Sequence, residues 1–308
     1  MEPLHEKKVR QLEEMATTLR EDVIRELVAA GSGHSAGPLG MADIFTAFYF
    51  HILKHNPKKP NWADRDRLVL SNGHICPILY AALARAGYFP VEELSTLRHI
   101  NTRLQGHPHR GALPGVETTS GPLGSGLSQA IGMALAARLD HNPSTRSTNA
   151  QGGERGRTTS SGRGRHRVYC FMSDGEQQEG NIWEAAMLAG KLKLSNITAV
   201  MDRNGIQIDG VTEDVMPLEP LRAKYESFNW NVVDVDGHSF EAICAAVAEA
   251  HAVHERPTLI IAHTIPGRGV SFMERDYRWH GKPPTREEAE RALKELKARR
   301  ERVVAKYR

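Results

Sequence analysis

Apolar, β-branched runs of strand length recur along this chain at Arg67–Leu70, Val168–Met172, Ile197–Met201, Val232–Val235 and Thr258–Ala262. Most of them are separated by stretches long enough for a helix. Strands alternating with helices predict a parallel sheet whose crossover helices lie on its faces. Tyr169, Cys170 and Phe171 are apolar without alternation, as a strand buried on both sides requires. Helices are expected where apolar residues step by three and four. Leu12, Met15, Leu19, Val23 and Leu27 mark one over 11–29, stopped by Gly31-Ser32-Gly33. Others are expected over Leu127–Leu139, Glu179–Lys191 and Phe240–His254, the last with Ile243, Val247 and Ala250 on one face. The expected fold is one α/β domain over residues 1–308, a doubly wound, mostly parallel sheet with helices on both faces. The run 286–308 mixes nine basic and five acidic residues at helical spacing and reads as a solvated C-terminal helix.

Composition narrows the class. With 40% hydrophobic and 25% charged residues in 308, the chain is neither a disordered polymer nor a fibre. No stretch approaches the length of apolar sequence that a membrane span needs. The N-terminus, MEPLHEKKVRQLEEM, lacks the apolar centre of a signal peptide. Cys76, Cys170 and Cys244 lie far apart, without the spacing of a local zinc knuckle or disulfide framework. A soluble cytoplasmic protein is expected. The net charge of +3 hides an asymmetry, because segment 141–167 holds six Arg and one Glu and the remainder is slightly acidic. That segment is rich in Gly, Ser and Thr and nearly free of large apolar residues, so it reads as a disordered basic insertion. A basic tract can also contact RNA, but no aromatic residues are interleaved in it for base stacking, and no nucleic-acid partner is expected. Deleting 144–164 is expected to leave assembly and activity largely intact.

In sheets of this type ligands collect at the carboxyl ends of strands. Ser173-Asp174-Gly175-Glu176 follows one predicted strand, and Asp202-Arg203-Asn204-Gly205-Ile206 follows another. If those strands are neighbours, a carboxylate, an amide oxygen and a backbone carbonyl emerge together, hard ligands suited to Mg²⁺ or Ca²⁺. Gly175 would let a phosphate approach the backbone at a helix N-terminus. Asp174 and Asn204 equally suit a helix cap and a turn. Among the histidines beside glycines, four stand out, in Gly33-His34, Gly73-His74, Gly106-His107 and His280-Gly281. That pairing suits either a site where backbone meets ligand and an imidazole handles a proton, or an ordinary surface loop. The loop Gly121-Pro122-Leu123-Gly124-Ser125-Gly126 lacks Gly-Lys-Ser/Thr, so a nucleoside triphosphatase is not expected.

Taken together, these stretches resemble the N-terminal, diphosphate-binding domain of transketolase, a thiamine-diphosphate enzyme. The resemblance rests on GSGHSAGPLGMADI (31–44), LSNGHICPILYAAL (70–83), the run 106–139, SDGEQQEGNIWEAAMLAG (173–190), MDRNGIQIDG (201–210), VDVDGHS (233–239) and IPGRGVSFME with WHGKPP (265–284). It covers nearly the whole chain outside 141–167 and the last helix.

The resemblance implies that Asp174 and Asn204 bind Mg²⁺ by their side chains and Ile206 by its carbonyl, with Ca²⁺ or Mn²⁺ as substitutes. It places His74, Gly121, Leu123, Gly175 and His280 along the thiamine diphosphate. His34, His107 and His280 would face the sugar, and Glu179 matches a carboxylate that communicates between paired active sites. Ser173 stands where many members carry glycine. The implied activity moves a two-carbon ketol unit from a ketose phosphate to an aldose phosphate. Whole transketolases continue into pyrimidine-binding and C-terminal domains, and that further part carries the glutamate that hydrogen-bonds the aminopyrimidine. This chain therefore resembles the N-terminal subunit of a split transketolase, inactive alone and forming an α2β2 heterotetramer with a C-terminal partner subunit. A deoxyxylulose-phosphate synthase, a secondary-pathway transketolase homologue and a non-catalytic cofactor-binding module would share this half.

Overall fold

The computed structural model describes residues 4–140 and 166–307, so the expected insertion at 141–167 falls almost entirely outside the described residues. Five strands form the main sheet: β1 (Arg67–Leu70), β2 (Val168–Ser173), β3 (Ile197–Arg203), β6 (Asn231–Asp236) and β7 (Thr258–His263). All neighbours are parallel, in the order β1-β2-β3-β7-β6. The predicted parallel α/β fold with helices on both faces is what the chain adopts. A small hairpin, β4 (Ile206–Gln207) with β5 (Gly210–Val211), follows β3 and leads into the short helix α7 (Thr212–Val215).

Side-chain alternation splits the interior into two cores. Leu68, Tyr169, Phe171, Val200 and Ile260 point to one face of the sheet, where they meet α1 (Glu6–Ala30), α3 (Ala42–Ala47), α4 (Cys76–Arg85) and α9 (Phe240–Ala252). Val69, Val168, Cys170, Met172 and Met201 point to the other, against α5 (Ser125–Asp140), α6 (Gly180–Lys191) and α8 (Leu221–Ser227). Each fully buried aliphatic or aromatic side chain of this kind contributes about 1.5–3 kcal/mol by removal from water. All three cysteines are free and buried. No helix among the described residues is long and apolar enough to cross a membrane.

The last helix departs from expectation. α10 (Arg286–Lys306) is not a fully solvated helix but lays Ala289, Ala292, Leu296 and Val303 against the fold, with α1 as its main neighbour. Ion pairs from Arg300 to Glu21 (3.0 Å) and Lys306 to Glu13 (3.1 Å) flank that contact. Two of the four buried positions are alanines set among charges, which leaves little apolar stripe to see in the sequence. Thr285 and Glu288 close a capping box at the helix start.

The segment after α1 is fixed from below. Arg20, fully buried, donates to both carboxylate oxygens of Asp43 at 3.0 and 2.6 Å and to the Leu39 carbonyl at 3.0 Å. His238 approaches the same carboxylate at 2.7 Å. Burial pushes the Asp43 carboxyl up, but Arg20 and His238 together hold it well below the usual range. This pair locks α1 to α2 (Ala36–Gly40) and α3, and so fixes the turn that carries His34.

Candidate active site

A cavity of about 360 Å³ opens at the carboxyl ends of β1, β2 and β3. His34, His74, His107 and His280 stand on its wall, with Gly121 and Leu123. Asp174, Gly175, Glu179 and Ile206 complete the set expected from sequence, and only Asn204 of that set stays off the wall. Gln178, Gln207 and Asp209 also line it and were not expected, because nothing local in the sequence distinguishes them from surface polar residues.

Each histidine arrives on a different segment. α1 ends at Gly31, whose φ of 62° and N–H bond to the Leu27 carbonyl turn the chain toward His34. His74 lies in the helical turn Gly73–Ile75 directly after β1. His107 follows Gly106, whose carbonyl accepts from the Cys76 thiol at 3.2 Å. His280 follows the turn Tyr277–Trp279. The Ser35 hydroxyl donates to the Lys282 carbonyl at 2.5 Å, tying the first and last of these segments together. The rings pack: His34 to His74 at 4.9 Å between centroids, and His74 to His280 at 5.3 Å.

Burial favours neutral imidazoles here. It lowers His34 to about 4, helped by His280, Arg98 and His107. His74 is lowered well below its ordinary value by burial and by the neighbouring histidines. His107 is lowered by burial and Arg98, and His280 by burial. A neutral imidazole carries one N–H donor and one lone-pair acceptor, so each ring can both give and take a hydrogen bond at neutral pH. Arg98 was not singled out in the sequence. It has a φ of 61°, and its guanidinium lies against Gly106 and bonds Ser32 at 3.3 Å, between the two loops that carry His34 and His107.

Strands β2 and β3 are neighbours in register Ser173 opposite Asp202, so Asp174 and the Asn204 turn do emerge side by side. Asp174 is fully buried, and burial pushes its carboxyl up. Its Oδ1 accepts the Gly175 N–H at 2.7 Å, and its Oδ2 accepts the Gly205 N–H at 2.7 Å and Arg203 at 3.0 Å. Arg203 also reaches Glu213 (2.5 Å) and Glu219 (3.1 Å), which holds the segment after β5 onto the end of β3. The Asn204 side chain spans its own turn, accepting from the Ile206 N–H at 3.0 Å and donating to Asp202 at 2.8 Å. The cap and the turn are thus both real, and they coexist with the cavity.

The donor set at this corner is one carboxylate, one amide oxygen and one carbonyl, the hard oxygens that Mg²⁺ prefers. Among the described residues no three His, Cys, Asp or Glu side chains gather to hold a metal, so any ion must use a mixed set of this kind. Several buried polar atoms in the cavity-bearing loops lack a partner among the described residues: Nδ1 of His34 and of His280, both amide atoms of Asn72, and the Ser120 hydroxyl. Buried polar groups are ordinarily satisfied, so such a cluster fits a polar ligand. A Cβ on Gly121 would meet none of the described residues within 4 Å, which leaves the backbone there open to approach. The residues fit a metal-linked diphosphate.

The model of the transketolase thiamine diphosphate binding domain matches residues 11–302. The chain belongs to that family. It is similar over almost its full length to two subunits of comparable size. It is 40% identical to the 6-deoxy-6-sulfo-D-fructose transketolase subunit SqwG of Clostridium sp. (strain MSTE9), covering 92% of this chain and 96% of the relative. It is 36% identical to an apulose-4-phosphate transketolase subunit of Phocaeicola vulgatus, covering 96% and 97%. Transketolase 1 of Escherichia coli is 40% identical, but only 39% of its length is spanned. Solved transketolases of Leishmania mexicana and Campylobacter jejuni superpose with TM-scores of 0.80 each, at 29% and 32% identity, and 45% of each is covered.

Proposed function

We propose that this chain is the diphosphate- and Mg²⁺-binding subunit of a transketolase, and that it acts only with a second polypeptide carrying the pyrimidine-binding and C-terminal domains. The observation that carries this reading is the convergence of His34, His74, His107 and His280 with Asp174 on one cavity at the carboxyl end of the sheet. The two relatives of matching length are both named as subunits, which supports a separate partner. A heterotetramer with two copies of each chain follows from the family resemblance.

In this reading Asp174, Asn204 and Ile206 would hold the ion. Gly121 and Gly175 let the diphosphate approach the backbone, with Leu123, His74 and His280 beside it. Thiamine diphosphate, when bound, supplies the electron sink for breaking and making the carbon–carbon bond. The work of this chain is orientation and proton handling. His34, His107 and His280, kept neutral by burial, would each give and take hydrogen bonds with sugar hydroxyls and so orient them where protons move. Glu179, on the cavity wall and at the start of α6, would be the carboxylate through which paired active sites communicate.

The substrates are a ketose donor and an aldose acceptor. Because the two full-length relatives are named for a sulfo-sugar and for apulose 4-phosphate, the donor screen includes a sugar sulfonate beside sugar phosphates. The test combines purified chain, Mg²⁺, thiamine diphosphate, ketose and aldose, with and without the partner subunit. Turnover is expected only with the partner. Robust turnover by the isolated chain contradicts the split-subunit reading.

A further inference from the structure

Three segments distant in sequence meet at one side chain beneath the cavity. Oε1 of Glu176 accepts the hydroxyl of Ser71, at the end of β1, and the backbone N–H of Gly124, in the loop before α5. Oε2 accepts the backbone N–H of Ser173, at the end of β2, at 3.1 Å. Ser71 passes the contact on, its Oγ accepting the Gly126 N–H at 3.1 Å. Glu176 is fully buried and is not among the residues that line the cavity.

We propose that Glu176 is the positioning residue of the diphosphate cradle: one buried carboxylate fixes the ends of β1 and β2 and the 121–126 loop in a single arrangement. This rests on the reading of the cavity given above. The segments so fixed carry the cavity wall, since His74 lies three residues after Ser71, Leu123 immediately before Gly124, and Asp174 immediately after Ser173. Gly124 is also held from its other side, because its φ is +83° and a Cβ there would collide with the Asn181 amide oxygen. The loop therefore lies close against the Asn181 side chain of α6.

The donor pattern demands a carboxylate. Two backbone N–H groups, which cannot reverse their polarity, point at two different oxygens of Glu176. An amide offers an acceptor on one side only, so either orientation of a glutamine sets its NH₂ against a backbone N–H. Aspartate keeps both acceptors but is shorter by one carbon–carbon bond, about 1.5 Å. Neither substitution opens a large void, so the cost falls on these hydrogen bonds rather than on packing.

The experiment measures amide hydrogen exchange of the full chain without cofactor, then thiamine diphosphate affinity by calorimetry in Mg²⁺, for wild type and Glu176→Gln. In Glu176→Gln, exchange at Gly124 and Ser173 is expected to accelerate by about tenfold while α1 and α9 stay protected. Affinity is expected to fall by about tenfold. Unchanged exchange at Gly124 and Ser173, or faster exchange with unchanged affinity, overturns the role of Glu176. A wild-type chain that binds no thiamine diphosphate, even with the partner subunit, overturns the reading of the cavity instead, and the exchange data still decide whether Glu176 fixes the loops. Should Glu176→Gln not fold, Glu176→Asp is read by the same two measurements, with faster exchange at Gly124 expected.

Discussion

The rings of His34 and His280 meet edge to face with centroids 5.5 Å apart, although the two residues come from opposite ends of the chain. The Nδ1 atoms of both are buried without a partner among the described residues. Protonating either would place a charge where burial opposes it, and at His34 the nearby His280, His107 and Arg98 oppose it too.

The pH consequence is directional. His34 is held at about 4, below its unfolded value of 6.5, so the unfolded chain binds more protons between these values. The stability that the neutral ring confers is complete above pH 6.5 and is lost progressively as pH falls toward about 4. NMR titration of the ring carbons is expected to show His34 still neutral near pH 6. Replacing Arg98 by Gln removes one nearby positive charge and shifts the His34 titration upward. A His34 that titrates near 6.5 in the wild type contradicts this picture.

The glycine loop separates packing from binding. A Cβ on Gly126 would collide with the Ser71 side chain and lie 2.6 Å from its Cα, so Gly126→Ala must push α5 away from β1. A loss of about 2 kcal/mol is expected by urea denaturation, typical of overpacking. Gly121→Ala meets none of the described residues within 4 Å. Its stability is expected to stay within about 0.5 kcal/mol of wild type, while affinity for thiamine diphosphate falls. Unchanged affinity in Gly121→Ala removes that residue from the binding surface.

The contact of α10 with α1 is also measurable. Leu296 is fully buried, and Leu296→Ala is expected to cost about 3 kcal/mol by denaturant unfolding. A change under about 0.5 kcal/mol, the range of surface substitutions, would mean the helix is solvated after all.

Local pattern made much of this fold legible and topology did not. The five main strands stand where the apolar runs are, because a strand covered on both faces needs such a run. The amphipathic helices α1 and α9 show in the spacing of their buried residues. By contrast, α4 gives no periodic signal because every residue from Cys76 to Ala84 is buried. That β7 inserts between β3 and β6 depends on long-range pairing that no local segment encodes.

The site divides in the same way. Histidines beside glycines and the Asp174 turn are visible as local motifs, and the structure gathers them. Glu176, Arg98 and Arg203 matter through partners far away in the chain, such as Ser71, Ser32 and Glu219. Glu176 stood in plain view within Ser173-Asp174-Gly175-Glu176, but a carboxylate in a turn carries no mark of what will donate to it.

Retention of thiamine diphosphate by the chain assembled with its partner subunit, in Mg²⁺ and in excess chelator, compared between wild type and Asp174→Ala, is the most direct test. Wild type is expected to keep the cofactor in Mg²⁺ and release it in chelator, and Asp174→Ala to bind at least about tenfold more weakly, a loss of about 1.4 kcal/mol or more. Equal retention by Asp174→Ala, or retention indifferent to Mg²⁺, would contradict a metal-held diphosphate at the ends of β2 and β3.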